Sequence, residues 1–64
     1  MVTINGNAVP TAGQTLLVYL QSAGYTPARI AVEINRNIVP KASYEQTILQ
    51  DGDTVEIVQF VGGG

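Results

Sequence analysis

Residues 15–24 read Thr15-Leu16-Leu17-Val18-Tyr19-Leu20-Gln21-Ser22-Ala23-Gly24. Thr15 is a good helix N-cap, because its hydroxyl can accept from an amide of the first turn. Leu16, Leu20 and Ala23 repeat at helical spacing, with Leu17 and Tyr19 flanking that stripe and Val18 pointing the other way. Gly24 stands where a C-terminal cap glycine belongs. The segment therefore predicts an amphipathic helix of about two and a half turns. A helix this short is marginal alone in water, so its apolar stripe must lie on a sheet.

The flanking sequence supplies that sheet. Val2 and Ile4 alternate with Thr3 and Asn5, and Asn5-Gly6 is a strong hairpin signal leading into Ala8 and Val9, ended by Pro10. After the helix, Ile30, Val32 and Ile34 alternate with Ala31 and Glu33, predicting a third strand with one buried face. Asn35-Arg36-Asn37 reads as a turn into a short strand at Ile38 and Val39, stopped by Pro40. Ser43 is placed to cap a single turn through Gln46. Ile48 and Leu49 lead into the turn Asp51-Gly52-Asp53, and Thr54 to Phe60 forms the last strand. One helix among five strands predicts an α+β chain of the β-grasp type, with a mixed sheet curled around the helix. Residues 1–61 are expected to form this single domain and residues 62–64 a flexible glycine tail. Tyr19, Tyr25 and Tyr44 read as residues at the edge of the core.

Composition excludes much chemistry. The 64 residues are 45% hydrophobic and 12% charged, with three bases against five acids and a net charge of −2. A domain this small buries only about 60% of its unfolded surface, which leaves few residues for an internal active site. The bases, Arg29, Arg36 and Lys41, do not cluster as a nucleic-acid surface requires; they read as surface charge. There is no cysteine and no histidine. That removes thiolate nucleophiles, zinc sites built from those ligands, thiolate-held iron–sulfur clusters and the commonest general base. Asp51, Asp53 and Glu56 lack the ligand spacing of a calcium loop and read as a solvated turn, and nothing brings Glu33 and Glu45 together as an acid pair. No metal site, catalytic residue or bound cofactor is expected. No apolar run approaches the ~20 residues that span a bilayer, and the start of the chain lacks the pattern of a signal peptide. A cytoplasmic protein with no membrane or nucleic-acid partner is the expectation.

What remains is the end of the chain, Gly62-Gly63-Gly64, directly after the last strand. Without Cβ atoms these residues allow close approach of backbone to another protein. Fully extended, Val61 to Gly64 spans roughly 13–14 Å, enough to enter a partner's active site through a narrow channel. A terminal glycine carboxylate is unhindered: it can attack the α-phosphate of ATP and form an acyl adenylate, from which a nucleophile displaces AMP. The activating machinery must come from a partner, because the chain has no phosphate-binding loop followed by lysine. The last strand suggests how that partner docks. Val55, Ile57 and Gln59 share one face; Thr54, Glu56, Val58 and Phe60 share the other. A regular strand exposes Val58 and Phe60 beside Val61 as a docking patch. A bulge would instead turn Phe60 into the core.

Three stretches resemble the ThiS family, the ubiquitin-like sulfur carriers of thiamin thiazole biosynthesis. They are Ala12-Gly13-Gln14-Thr15-Leu16, the segment from Val32-Glu33-Ile34-Asn35 through Ile38-Val39-Pro40-Lys41, and Leu49 to Val58 with Phe60-Val61-Gly62-Gly63-Gly64. The resemblance covers nearly the whole chain. It implies that a ThiF-like enzyme adenylates the Gly64 carboxylate with ATP. Sulfur mobilised from cysteine by a desulfurase then replaces AMP to give a thiocarboxylate. The thiazole synthase ThiG takes that sulfur, so the chain is a carrier and not an enzyme. The small subunit of molybdopterin synthase uses the same terminal chemistry, and a ubiquitin-like modifier or a passive interaction module shares the fold; these readings stay open at the level of sequence.

Overall fold

The computed structural model describes residues 1–60. Five strands form one sheet: β1 (Val2–Ile4), β2 (Asn7–Val9), β3 (Ile30–Ile34), β4 (Asn37–Val39) and β5 (Thr54–Gln59). Their order is β2-β1-β5-β3-β4. The first and last strands run parallel in the middle of the sheet, and every other pairing is antiparallel. One helix, α1 (Leu16–Ser22), connects the two hairpins. This is the α+β, β-grasp arrangement expected from the sequence.

Alternation along the strands builds the core. Directly paired residues share a face, so the pairs Val32↔Ile57, Ile34↔Val55 and Ile4↔Val55 stack inward. Leu16 and Leu20 of α1 are fully buried against them, each contributing about 1.5–3 kcal/mol of apolar burial. Leu17 and Tyr19 flank the stripe half-buried, while Val18 is exposed.

The seven-residue helix is held by its ends. Its first amides would lack intrahelical partners. Leu16 N–H donates to Thr47 O at 2.7 Å and Leu17 N–H to Tyr44 O at 3.0 Å. Val18 N–H donates to the Thr15 hydroxyl at 3.2 Å. At the other end Gly24 has φ +85°. Gly24 N–H reaches Gln21 O, and Tyr25 N–H reaches Leu20 O, which is the Schellman closure.

Three details depart from the sequence reading. Ala23 is the exposed C-cap and not part of the buried stripe, because the helix stops at Ser22. The turn expected from Ser43 to Gln46 begins earlier, as a 3₁₀ turn at Lys41–Ser43 entered directly from Pro40. Ser43 contributes its carbonyl, which accepts from the amides of Gln46 and Thr47. Tyr44 is a core residue, 2% exposed, and not an edge residue. Burial pushes its phenol above the usual range, which fits a packing role. Tyr19 is shifted the same way, by burial first and then by Tyr25.

Both hairpins turn through positive φ at two successive residues, as type I′ turns require. The first uses Asn5 (φ 49°) and Gly6 (φ 85°); the second uses Asn35 (φ 52°) and Arg36 (φ 71°). Arginine in the left-handed region carries a steric cost that glycine does not. Arg36→Gly is therefore expected to stabilise the fold by about 0.5–1 kcal/mol, after allowance for glycine's greater unfolded-state freedom. Urea unfolding checks this.

Candidate functional site

The candidate site is the end of β5 and the sheet face around it. Two neighbours hold β5. On the β3 side, pairing runs from Ile34↔Val55 to Ile30↔Gln59, and Phe60 N–H still donates to Arg29 O at 2.8 Å. On the β1 side, backbone pairing ends at Ile4↔Val55. There the Asn5 side chain takes over from the backbone: its Oδ1 accepts from Ile57 N–H at 2.7 Å, and its Nδ2 donates to Ile57 O at 3.2 Å. Asn35 does the same kind of work at the start of β5, accepting from Thr54 N–H at 3.0 Å and donating to Asp53 at 3.0 Å. Sequence reading assigned both asparagines to turns. Their second role, bracing the last strand, depends on register that only the fold supplies.

The strand is regular. Val55 and Ile57 are buried, and Val58 and Phe60 are 57% and 56% exposed. The bulge that would bury Phe60 is absent. The pairs Ala31↔Val58 and Glu33↔Glu56, with Ile38 opposite Glu33, place Ala31, Glu33 and Ile38 on the same outer face. Ile38 is 76% exposed. Sequence reasoning did not join these residues to the patch, although strand parity in β3 and β4 carried the signal. Val61, Gly62, Gly63 and Gly64, the remaining residues assigned to docking and to the carrier tail, lie outside the described residues.

The face is negative at its middle. Glu33 and Glu56 stand directly opposite one another, an unfavourable placement for like charges, in a shallow depression also lined by Asn35, Arg36 and Thr54. Glu33 and Glu45 are not brought together as a pair: Glu33 lies on β3, and Glu45 follows the 3₁₀ turn. Asp51, Asp53 and Glu56 also do not converge. Asp53 caps the turn by accepting from Gln50 N–H at 2.9 Å, and Asp51 pairs with the Met1 ammonium. Among the described residues no three His, Cys, Asp or Glu side chains form a metal-binding group, and no helix is long and apolar enough to cross a membrane.

Comparison with known proteins identifies the family. The ThiS family model matches residues 2–64. The chain belongs to the ThiS family. Among its relatives, the sulfur carrier protein ThiS of Escherichia coli is 40% identical over 53 residues, covering 83% of this chain and 80% of that protein. The thiazole synthase of Magnetococcus marinus is 42% identical over 53 residues, covering 83% of this chain. The chain spans only 16% of the length of that thiazole synthase. The crystal structure of the thiamine biosynthesis protein ThiS from Geobacter metallireducens matches with a TM-score of 0.77 at 28% identity, covering 98% of this chain and 97% of that one. In this ThiS-family chain the β-grasp frame carries an outer sheet face that is apolar toward the end of β5.

The exposure of Phe60 yields a direct prediction. Phe60→Ala removes a ring that packs little within the chain, so unfolding free energy should change by no more than about 0.5–1 kcal/mol. Binding to a partner that uses the ring as an anchor should weaken about tenfold or more. Urea unfolding measures the first effect, and calorimetric titration with a candidate partner protein measures the second. A large stability loss with unchanged binding would return Phe60 to a structural role.

Proposed function

We propose that this chain is a sulfur carrier whose working group is the Gly64 carboxylate. A ThiF-like enzyme binds the outer sheet face through Val58, Phe60 and Val61 and receives Gly62, Gly63 and Gly64 in its active site. The carboxylate attacks the α-phosphate of ATP, and pyrophosphate leaves. The persulfide sulfur that a desulfurase draws from cysteine then attacks the acyl adenylate and displaces AMP. A thiol reduces the resulting acyl disulfide, becoming a disulfide itself and leaving a thiocarboxylate on Gly64. The thiazole synthase ThiG takes that sulfur into the thiazole of thiamin. The chain supplies the carboxylate and the docking face, while the partners supply catalysis and ATP. It works in the cytoplasm.

The observation that carries this reading is the exposed pair Val58, near the end of a braced strand, and Phe60, just after it, with only Val61 between Phe60 and three glycines in a family match that runs to residue 64. The composition supports it, since a chain without cysteine cannot carry sulfur as a persulfide. The likeness to a segment of a thiazole synthase supports ThiG as the acceptor, because fused segments act at short range on one another.

ATP–pyrophosphate exchange by the host's ThiF-like enzyme tests the first step. The exchange should depend on this chain and saturate with its concentration. Exchange that proceeds equally without the chain would contradict the proposal.

A further inference from the structure

Lys41 closes a contact that the sequence left as surface charge. It begins the 3₁₀ turn after Pro40. Its Nζ donates to Ile30 O, at the start of β3, at 2.9 Å. The same Nζ stands 5.9 Å from the centroid of the Phe60 ring, within the range at which an ammonium is attracted to an aromatic face. The backbone of Phe60 is tied separately, through its N–H to Arg29 O. One cation therefore joins the 3₁₀ turn, the start of β3 and Phe60, the residue that follows β5.

From this we infer that Lys41 is a positioning residue for partner docking: its ammonium holds the Phe60 ring in the pose that the adenylating partner engages. The inference rests on the docking role proposed for Phe60. A half-exposed ring with no internal contact samples several rotamers, and only a fraction would be ready to bind. Apparent affinity falls in proportion to that fraction. The hydrogen bond to Ile30 O fixes the ammonium, and the fixed ammonium favours one ring orientation. Lysine suits this use because its charge is compact and its stem can lie along the sheet end. Arginine preserves the cation and the donor to the carbonyl, whereas methionine keeps the stem and loses both.

The test is a double-mutant cycle on carrier-dependent ATP–pyrophosphate exchange. Lys41→Met should raise KM for the chain about three- to tenfold, the scale of an exposed cation–π contact with its supporting hydrogen bond, and leave kcat unchanged. Lys41→Arg should stay within about twofold of the parent, since the guanidinium stacks as well. With Phe60→Ala already present, Lys41→Met should add nothing. An equal rise in KM with and without the ring would overturn the inference, because Lys41 would then be touching the partner itself. An unchanged KM in Lys41→Met, with Phe60→Ala still impaired, would also overturn it. If Phe60→Ala itself leaves KM unchanged, the docking role of Phe60 fails and the inference goes with it. The Lys41 ε-proton shift separates that case: an upfield ring-current shift, lost in Phe60→Ala, would show the contact to be present and without function.

Discussion

Deleting Gly63 and Gly64 is expected to abolish sulfur loading while leaving the fold intact. The shortened chain still ends in a glycine carboxylate, at Gly62, so the chemistry of the group is unchanged. Its reach is not. Two residues shorten the extended tail by roughly 7 Å, whereas a misplacement of about 1 Å at a reacting centre can cost ~100-fold in rate. Adenylation of the truncated chain should therefore fall to background. Stability should hold within about 0.5 kcal/mol, because glycine has no side chain to bury and gains freedom in the unfolded state. ATP–pyrophosphate exchange and urea unfolding on the same preparation test both halves. Retained exchange would mean that the reactive group lies elsewhere, and a passive interaction module with an irrelevant tail would then be the better account.

Asn5→Ala should be among the most destabilising single changes at an exposed position of this domain. Asn5 sits at φ 49° in the first hairpin, where alanine is strained and asparagine is tolerated. Its side chain also serves both the N–H and the C=O of Ile57. Removing it leaves two part-buried backbone groups of β5 without their partner. Adding the lost hydrogen bonds to the backbone strain gives a loss of about 2–4 kcal/mol. Against the roughly 3–10 kcal/mol expected of a domain this size, that is a large fraction. Asn5→Gly separates the contributions, since glycine keeps the left-handed turn and loses only the side chain. It should recover about 1 kcal/mol of the loss. Equal stability of Asn5→Ala and the parent in urea would show that the β5 end does not depend on this brace.

The elements that the sequence announced were those with local signals. Thr15 and Gly24 marked both ends of the helix because capping is decided within one turn of chain. The exposure of Val58 and Phe60 followed from parity along β5 once the strand proved regular. What stayed hidden depended on distant partners. Tyr44 is buried because the segment that carries it supplies carbonyls to the first turn of α1, and nothing near Tyr44 in sequence signals that. Ala23 fits the helical stripe in spacing but falls beyond the last helical residue, where boundary precision ends. Asn5 and Lys41 read as a turn residue and a surface cation, because the atoms they serve, on Ile57 and at Ile30 with Phe60, lie far along the chain. The Glu33–Glu56 opposition required the register of β3 against β5. The chemistry proposed for Gly64 rests on a different source: the lack of other reactive groups in the chain together with a family match that runs to residue 64.

The most direct test of the carrier claim is the intact mass of the chain after incubation with the host's ThiF-like enzyme, ATP, cysteine and a desulfurase. The account predicts a gain equal to the exchange of one oxygen for one sulfur, mapped to the C-terminal peptide that ends at Gly64. An unchanged mass, with the same enzymes shown to load another carrier, would contradict it.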